Sequence, residues 1–319
     1  MRYELTDYEW TAIKPFLPNK PRGVPRVNDR RVLNGIFWVL RSGAPWRDLP
    51  ETYGPRTTCY NRFVRWRRAG VWDQLMNALA ASHDAAVQMI DTSVVRVHQH
   101  GACVADNNHQ DMGRSRGGLT SKIHAVVDTN GLPVHLALTP GEAHDNRLCS
   151  VLLSALPAQT MLLADRGYDA DWIRELARQQ GAWANIPPKR NRKDPICFSP
   201  YLYRARNLIE RFFNKIKQCR RVATRYDKLA ANYLAFVKLA SIRIWLRANE
   251  STPYIVMEMS KKETSHEQRS QKWVSPFRSN QLALSSPMIF RLCPWRVKKS
   301  AAPFTSIATQ GLARPSQRE

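Results

Sequence analysis

Thr160-Met161-Leu162-Leu163-Ala164-Asp165-Arg166-Gly167-Tyr168-Asp169-Ala170 is a short apolar run that ends on an aspartate and a glycine. An apolar run of this length, bounded by turn residues, reads as a buried strand. A carboxylate at the end of such a strand stands where an open α/β sheet places its reacting groups. Upstream, Val87-Gln88-Met89-Ile90 runs into Asp91 in the same way, and Val94-Val95-Arg96-Val97 continues it as one or two extended stretches. Ile123 to Val127 and Val134 to Leu138 flank Asp128-Thr129-Asn130-Gly131. Asn-Gly between apolar runs is the strongest short-range hairpin signal, and it assigns Asp128 to the turn rather than to a ligand set.

Downstream the pattern alternates. Asp145 reads as the cap of a helix carrying Leu148, Val151, Leu152 and Ala155, and a second helix spans about residues 169–180, with Asp169 or Asp171 as its cap. A short strand near Trp183 to Ile186, the basic loop Pro187 to Lys193, a long helix from Tyr203 to Arg220 and an apolar helix from Leu229 to Leu246 follow. Residues 83–250 therefore read as an α/β domain. Residues 1–82 read as all-helical: Thr6 caps a helix with Trp10, Ile13 and Phe16, and Asn28 or Asp29 caps a second with Val32, Leu33, Ile36, Phe37 and Leu40, closed by Gly43. After a loop broken by prolines, Thr57 or Thr58 starts a third with Tyr60, Phe63, Val64 and Trp66, ended by Gly70. Arg62, Arg65, Arg67 and Arg68 give this third helix a basic face. It is either a helix-turn-helix-like reader of double-stranded DNA or a solvated face. From residue 251 to 319 the periodicity fades, and the segment reads as a largely disordered C-terminal extension.

The chain has 319 residues with 49 Lys and Arg against 26 Asp and Glu, a formal charge of +23 spread over several segments. Such a surplus points to a polyanion. No apolar run approaches the roughly 18 residues of a spanning helix, which sets membranes aside and places the protein in the cytoplasm with DNA. The six cysteines lack a Cys-x-x-Cys pair, so neither a zinc ribbon nor a disulfide framework is suggested. His98, His100 and Cys103 lie close together without a second ligand pair and read as a flexible loop.

Asp91, Asp165 and Glu210 suit phosphodiester chemistry, in which carboxylates hold two Mg²⁺ ions roughly 3.5–4 Å apart. Three acids alone carry little weight, because an aspartate after a strand is often a turn residue or a cap. The surroundings of Glu210 are more specific. Tyr203, Arg206, Glu210 and Lys217 are separated by two, three and six residues, so all can leave related faces of one helix.

This spacing resembles the Tyr-Arg-Glu-Lys signature of bacterial insertion-sequence transposases. Asp165-Arg166-Gly167-Tyr168 resembles the segment around that family's second catalytic aspartate, and Asp91-Thr92-Ser93 the segment around its first. The run from Gly113 to His124 and the run Gly43-Ala44-Pro45-Trp46-Arg47-Asp48-Leu49-Pro50 fit the same pattern, that of insertion-sequence family five, over about residues 3–247. The resemblance implies an RNase H-like, retroviral-integrase-like core behind the helical domain. It also implies Mg²⁺ or Mn²⁺ on Asp91, Asp165 and Glu210, and end cleavage followed by strand transfer. Arg206 and Lys217 would then hold phosphates, Tyr203 would stack on a sugar or base, and Arg114, Arg116, Lys122 and the basic loop with Lys189, Arg190, Arg192 and Lys193 would contact the backbone. Pairing of two element ends implies a homo-oligomer on DNA. Two other classes remain open at this point: an inactive, transposon-derived DNA-binding protein or repressor, and a nuclease that cuts without joining.

Overall fold

In a computed structural model of the chain, residues 4–18, 28–102 and 110–251 are described. The extension expected from 251 onward therefore lies, apart from Ser251, outside the described residues, as does Cys103.

The aspartate-bearing run is a single strand, β1 (Val87–Val97), and the sheet is organised on it. β2 (Gly113–Ser115), β3 (Gly118–Val127), β4 (Pro133–Pro140), β5 (Met161–Leu163) and β6 (Trp183–Asn185) follow. β1 pairs antiparallel with β3 and parallel with β5; β3 also pairs antiparallel with β2 and β4, and β6 lies parallel beyond β5. A last short strand, β7 (Thr224–Arg225), pairs with the end of β1. The β3–β4 hairpin turns on Gly131 at φ 75°, while Asp128 Oδ1 accepts the N–H groups of Asn130 (2.9 Å) and Leu132 (2.8 Å), as its turn chemistry requires.

Successive side chains of a strand point to opposite faces. Met89 and Val95 of β1, with Ile123, Ala125 and Val127 of β3, enter a large core; Ile90, Val126 and Leu162 enter a smaller one. Against the smaller core pack α5 (Cys149–Leu152), reached through a 3-10 turn at Asp145–Leu148, and α6 (Asp171–Gln179). Both helices are shorter than their sequence suggests, and neither Asp145, Asp169 nor Asp171 caps them, because Asp145 and Asp169 have tertiary partners instead.

The N-terminal helices are α1 (Asp7–Ile13), α2 (Asp29–Ser42), α3 (Arg56–Arg68) and α4 (Val71–Ala80). Thr6 and Glu9 form a capping box, Asn28 Oδ1 accepts Arg31 N–H, and Gly43 closes α2 at φ 71°, where a Cβ would lie 2.8 Å from that of Arg220. α3 starts at Arg56, directly after Pro55 and without a side-chain cap, ahead of the expected threonines. Gly70, at φ 69°, ends the third helix as expected and begins α4, a fourth helix that the three-helix reading did not assign.

The C-terminal part adds α7 (Pro200–Tyr203), α8 (Asn207–Lys217), α9 (Arg220–Ala223) and α10 (Ala230–Glu250). α10 is buried on most sides. Phe236 stacks on Phe63 of α3 with ring centroids 4.5 Å apart, and Trp245 Nε1–H donates to Pro133 O at 2.7 Å. One core therefore runs from the N-terminal helices through α10 to the sheet, across residues 82 and 83. Among the described residues, no helix is long and apolar enough to cross a membrane.

Two side chains make this packing testable. Arg62 of α3 donates Nη1–H to Asp29 Oδ1 of α2 at 2.8 Å, with both side chains largely buried. Arg62→Ala is expected to cost about 1–3 kcal/mol in urea unfolding, whereas Arg65→Ala and Arg68→Ala, both exposed, stay within about 0.5 kcal/mol. His124, fully buried on β3, has Nε2 2.7 Å from Thr139 Oγ1. Burial pulls its pKa down to about 4, Asp145 opposing and Lys122 adding. A histidine whose folded pKa lies below its unfolded value of about 6.5 stabilises the fold above that pH and loses the contribution as pH falls toward 4. Between about pH 6.5 and about pH 4, the wild type should lose on the order of 2–3 kcal/mol more stability than His124→Gln, measured by urea unfolding across that range.

Candidate active site

Asp91 sits in the interior of β1 with a side chain 14% exposed. Its Oδ1 accepts the Thr92 N–H at 2.8 Å, and its Oδ2 accepts Arg206 Nη2–H at 2.8 Å. Arg206 Nη1–H donates to Glu210 Oε1 at 2.7 Å, so one guanidinium joins β1 to α8. Ser199 caps the helical segment expected from Tyr203 to Arg220, which begins at Pro200 and passes through a 3-10 turn at Arg204–Arg206 before α8. In that turn each residue advances by about 120° instead of 100°, which redirects Arg206 relative to Glu210.

Asp165 follows β5, and its Oδ1 accepts the Gly167 N–H at 2.8 Å. A Cβ at Gly167 would lie 2.9 Å from that oxygen, so the Asp-Arg-Gly turn needs its glycine for close approach. The register pairs Val87 with Met161 and Met89 with Leu163; continued by two residues, it carries Asp165 to the level of Asp91. Burial pushes the Asp91 carboxyl up to about 6. Arg206 and the Thr92 N–H oppose the rise, and the charges of Asp165 and Asp145 add to it. Buried, neighbouring carboxylates of this kind mark reactive sites.

Carboxylate oxygens are the donor type that suits a hard divalent cation, but both Asp91 oxygens are engaged, Oδ1 with the Thr92 N–H and Oδ2 with Arg206. Glu210 is turned to Arg206. Among the described residues, no three His, Cys, Asp or Glu side chains are placed to share a metal ion. The structure thus brings Asp91 and Glu210 together through a guanidinium, with Asp165 alongside, and does not assemble the three carboxylates as one ligand set.

The residues flanking the acids are only partly as expected. The Arg206 guanidinium lies 5.9 Å from the Tyr203 ring centroid, and Tyr203 meets Phe198 edge to face at 5.5 Å. Lys217 donates to Val94 O at 3.2 Å, and burial lowers its pKa. Asp165, Arg166, Pro187, Phe198, Pro200, Tyr203 and Arg206 line a cleft of about 530 Å³. Arg114 and Arg116 stand exposed at the β2–β3 turn, as do Arg65 and Arg68 on α3. Arg67 is half-buried, with no hydrogen-bond partner for Nε.

Several of the expected DNA contacts point inward, Arg206 among them. Arg62 is engaged with Asp29, and Lys122 donates to Ala143 O (2.6 Å) and Asp145 Oδ1 (2.9 Å). Asp145 Oδ1 also accepts Thr92 Oγ1–H at 2.7 Å, which braces the residue next to Asp91 from the opposite face of the sheet. Sequence reasoning missed this brace because Asp145 looked like a helix cap.

Two family models match the chain. Residues 5–76 fit one described as a putative transposase of the IS4/5 family, and residues 82–245 fit one described as a transposase DDE domain. A putative transposase for insertion sequence element IS6501 from Brucella ovis is 42% identical over 130 residues, covering 40% of this chain and all of that protein. An uncharacterised 16.2 kDa protein of insertion element IS402 from Burkholderia cepacia is 41% identical over 106 residues, covering 29% of this chain and 72% of that one. A cryo-EM structure of the piggyBac transposase synaptic complex with hairpin DNA matches over 86% of this chain and 84% of that one. Its TM-score of 0.36 and 8% identity are too loose to align residues. On the two family models, which together span most of the described residues, the chain belongs to the insertion-sequence transposases with a DDE domain.

Proposed function

We propose that this protein binds the terminal inverted repeats of an insertion sequence and catalyses metal-dependent strand cleavage and strand transfer. We infer an RNase H-like core for the sheet, because Asp91 on the central strand and Asp165 at the end of its parallel neighbour are level with each other. The observation that carries the reading is the Arg206 bridge from Asp91 to Glu210, since Arg206 itself lines the cleft that holds Asp165.

Each side chain then has a chemical task. Asp91, Asp165 and Glu210 would hold a divalent cation, Mg²⁺ or Mn²⁺, which when bound would supply charge neutralisation and activate water. Arg206 and Lys217 oppose the charge of the DNA end, and guanidinium suits phosphate because it binds it bidentately. Tyr203 offers an aromatic face at the mouth of the cleft. Arg65 and Arg68 of α3 are the exposed cations placed to contact the repeat, with Arg114 and Arg116 on the backbone elsewhere. Simultaneous handling of two ends calls for a homo-oligomer.

The test is incubation of the full chain with its element's end DNA and Mg²⁺ or Mn²⁺, with cleaved and joined strands resolved on a denaturing gel. Asp91→Asn, Asp165→Asn and Glu210→Gln should each lower cleavage by about 100-fold or more while end binding persists. Ca²⁺, with its looser coordination, should support binding with little cutting, and chelation should stop the reaction. A wild type that binds ends without cutting them is a repressor-like protein, and one that cuts without joining is a nuclease.

A further inference from the structure

The strap from Pro187 to Phe198 leaves β6 and returns to α7, and both of its ends line the cleft that holds Asp165. It is fastened at two levels. At its base the buried Asn185 donates Nδ2–H to Ser199 O at 3.1 Å and accepts the Ser199 N–H at 2.9 Å. Higher up, Asp169, whose side chain is 1% exposed, takes hold of the strap itself. Its Oδ2 accepts the Lys189 N–H at 2.8 Å and Arg192 Nε–H at 3.0 Å. Its Oδ1 accepts Arg174 Nε–H (3.0 Å) and Nη2–H (2.8 Å), and Arg174 continues to Ala184 O and Ile186 O. Arg192 reaches on to Asp171 Oδ1 at 2.6 Å. Burial would raise the Asp169 carboxyl, yet hydrogen bonds from Arg192, the Lys189 N–H and Arg174 hold it down at about 2.

This clamp divides the four strap cations that the sequence treats alike. Arg192 is turned inward and 14% exposed, whereas Lys189, Arg190 and Lys193 stand exposed, with Asp194 as the strap's one carboxylate. A surface connection does not need a buried ion network to close it. Fixing a row of cations in advance lowers the ordering cost of binding a polyanion. Asp169 is four residues beyond Asp165, so the turn that presents the second acid also anchors the strap beside it.

We propose that the strap is a guide for the phosphate backbone of duplex DNA entering the Asp165 cleft, and that Asp169 is the positioning residue that holds Lys189, Arg190 and Lys193 in place. The inference rests on the DNA-cutting reading above, takes Arg192 out of the backbone contact expected of this loop, and adds the residue that orders the other three cations.

The experiment measures binding of the full chain to a labelled random-sequence DNA duplex over a series of salt concentrations, since backbone contacts do not depend on sequence. The triple variant Lys189→Ala, Arg190→Ala, Lys193→Ala should flatten the slope of log K against log salt by about 2–3, because each phosphate left without its cation accounts for about 0.9. Asp169→Asn should weaken binding severalfold in the wild type and add nothing in the triple variant, because it acts through the same three cations. Trypsin should cut the strap of Asp169→Asn faster than the strap of the wild type. Should Asp169→Asn fail to fold, Arg192→Gln loosens the same clamp and takes its place. An unchanged slope in the triple variant overturns the guide. An equal loss from Asp169→Asn in both backgrounds reduces Asp169 to a general structural residue and overturns the positioning role. A wild type that binds no duplex at all overturns the DNA-cutting reading itself, and the strap inference goes with it.

Discussion

A side chain in the middle of a central strand cannot choose its face, because the pleat assigns it by parity. In β1 that constraint separates two networks one residue apart. Asp91 shares the face of Met89 and Val95 and meets Arg206 from the 3-10 turn before α8. Thr92 shares the face of Ile90 and meets Asp145, which Lys122 holds in turn. The Thr92 N–H donating to Asp91 ties the two together. A register slip of one residue would put the carboxylate on the wrong face and the hydroxyl in its place. The site is thus as secure as the pairing of β1 with β3 and β5, and both cores defend that pairing.

α10 extends the same dependence to the N-terminal helices. Phe63 belongs to the helix with the exposed arginines and Phe236 to the helix behind the sheet, and their stacked rings lie in one continuous core. Arg243 of α10 donates to Glu4 O and lies 3.4 Å from Glu9, so the capping box of α1 is also tied to the C-terminal helix. The two family models meet between residues 76 and 82, but the packing does not divide there. A helix that shares its core with the sheet moves with it, which ties any contact made by α3 to the position of Asp91.

Much of this was legible in the sequence because it is local. Thr6 with Glu9, Asn28, Gly43 and the Asn-Gly hairpin are each decided within a few residues, and the structure has them where the residue types place them. Asp91 and Asp165 were readable from the apolar runs before them. What failed depends on distant partners. Asp145 has the chemistry of a cap, yet Lys122 and Thr92, far away in the chain, claim its carboxylate. Asp169 likewise serves Arg174 and Arg192 instead of α6. The 3-10 turn at Arg204–Arg206 breaks a helix that periodicity alone continues, at the residue that must reach across to β1.

Charge shows the same limit from another side. The surplus of +23 counts every cation alike, but the fold does not. Arg62, Lys122, Arg192 and Arg206 are all engaged with carboxylates of the chain, and Arg225, fully buried, donates to Ser121 Oγ and to backbone carbonyls. A guanidinium held this way orders structure and offers no phosphate contact until it is released. Binding surface is therefore set by which cations the folded chain leaves exposed: Arg166 lines the cleft, and Lys189, Arg190 and Lys193 lie on the strap whose ends line it. Arg206 has one exposed partner, Glu210, as Arg192 has Asp171, but it alone of the two also holds Asp91. A phosphate arriving at Arg206 competes with a Glu210 carboxylate that water already screens, so this half of the Arg206 pairing is one a DNA end can replace at low cost.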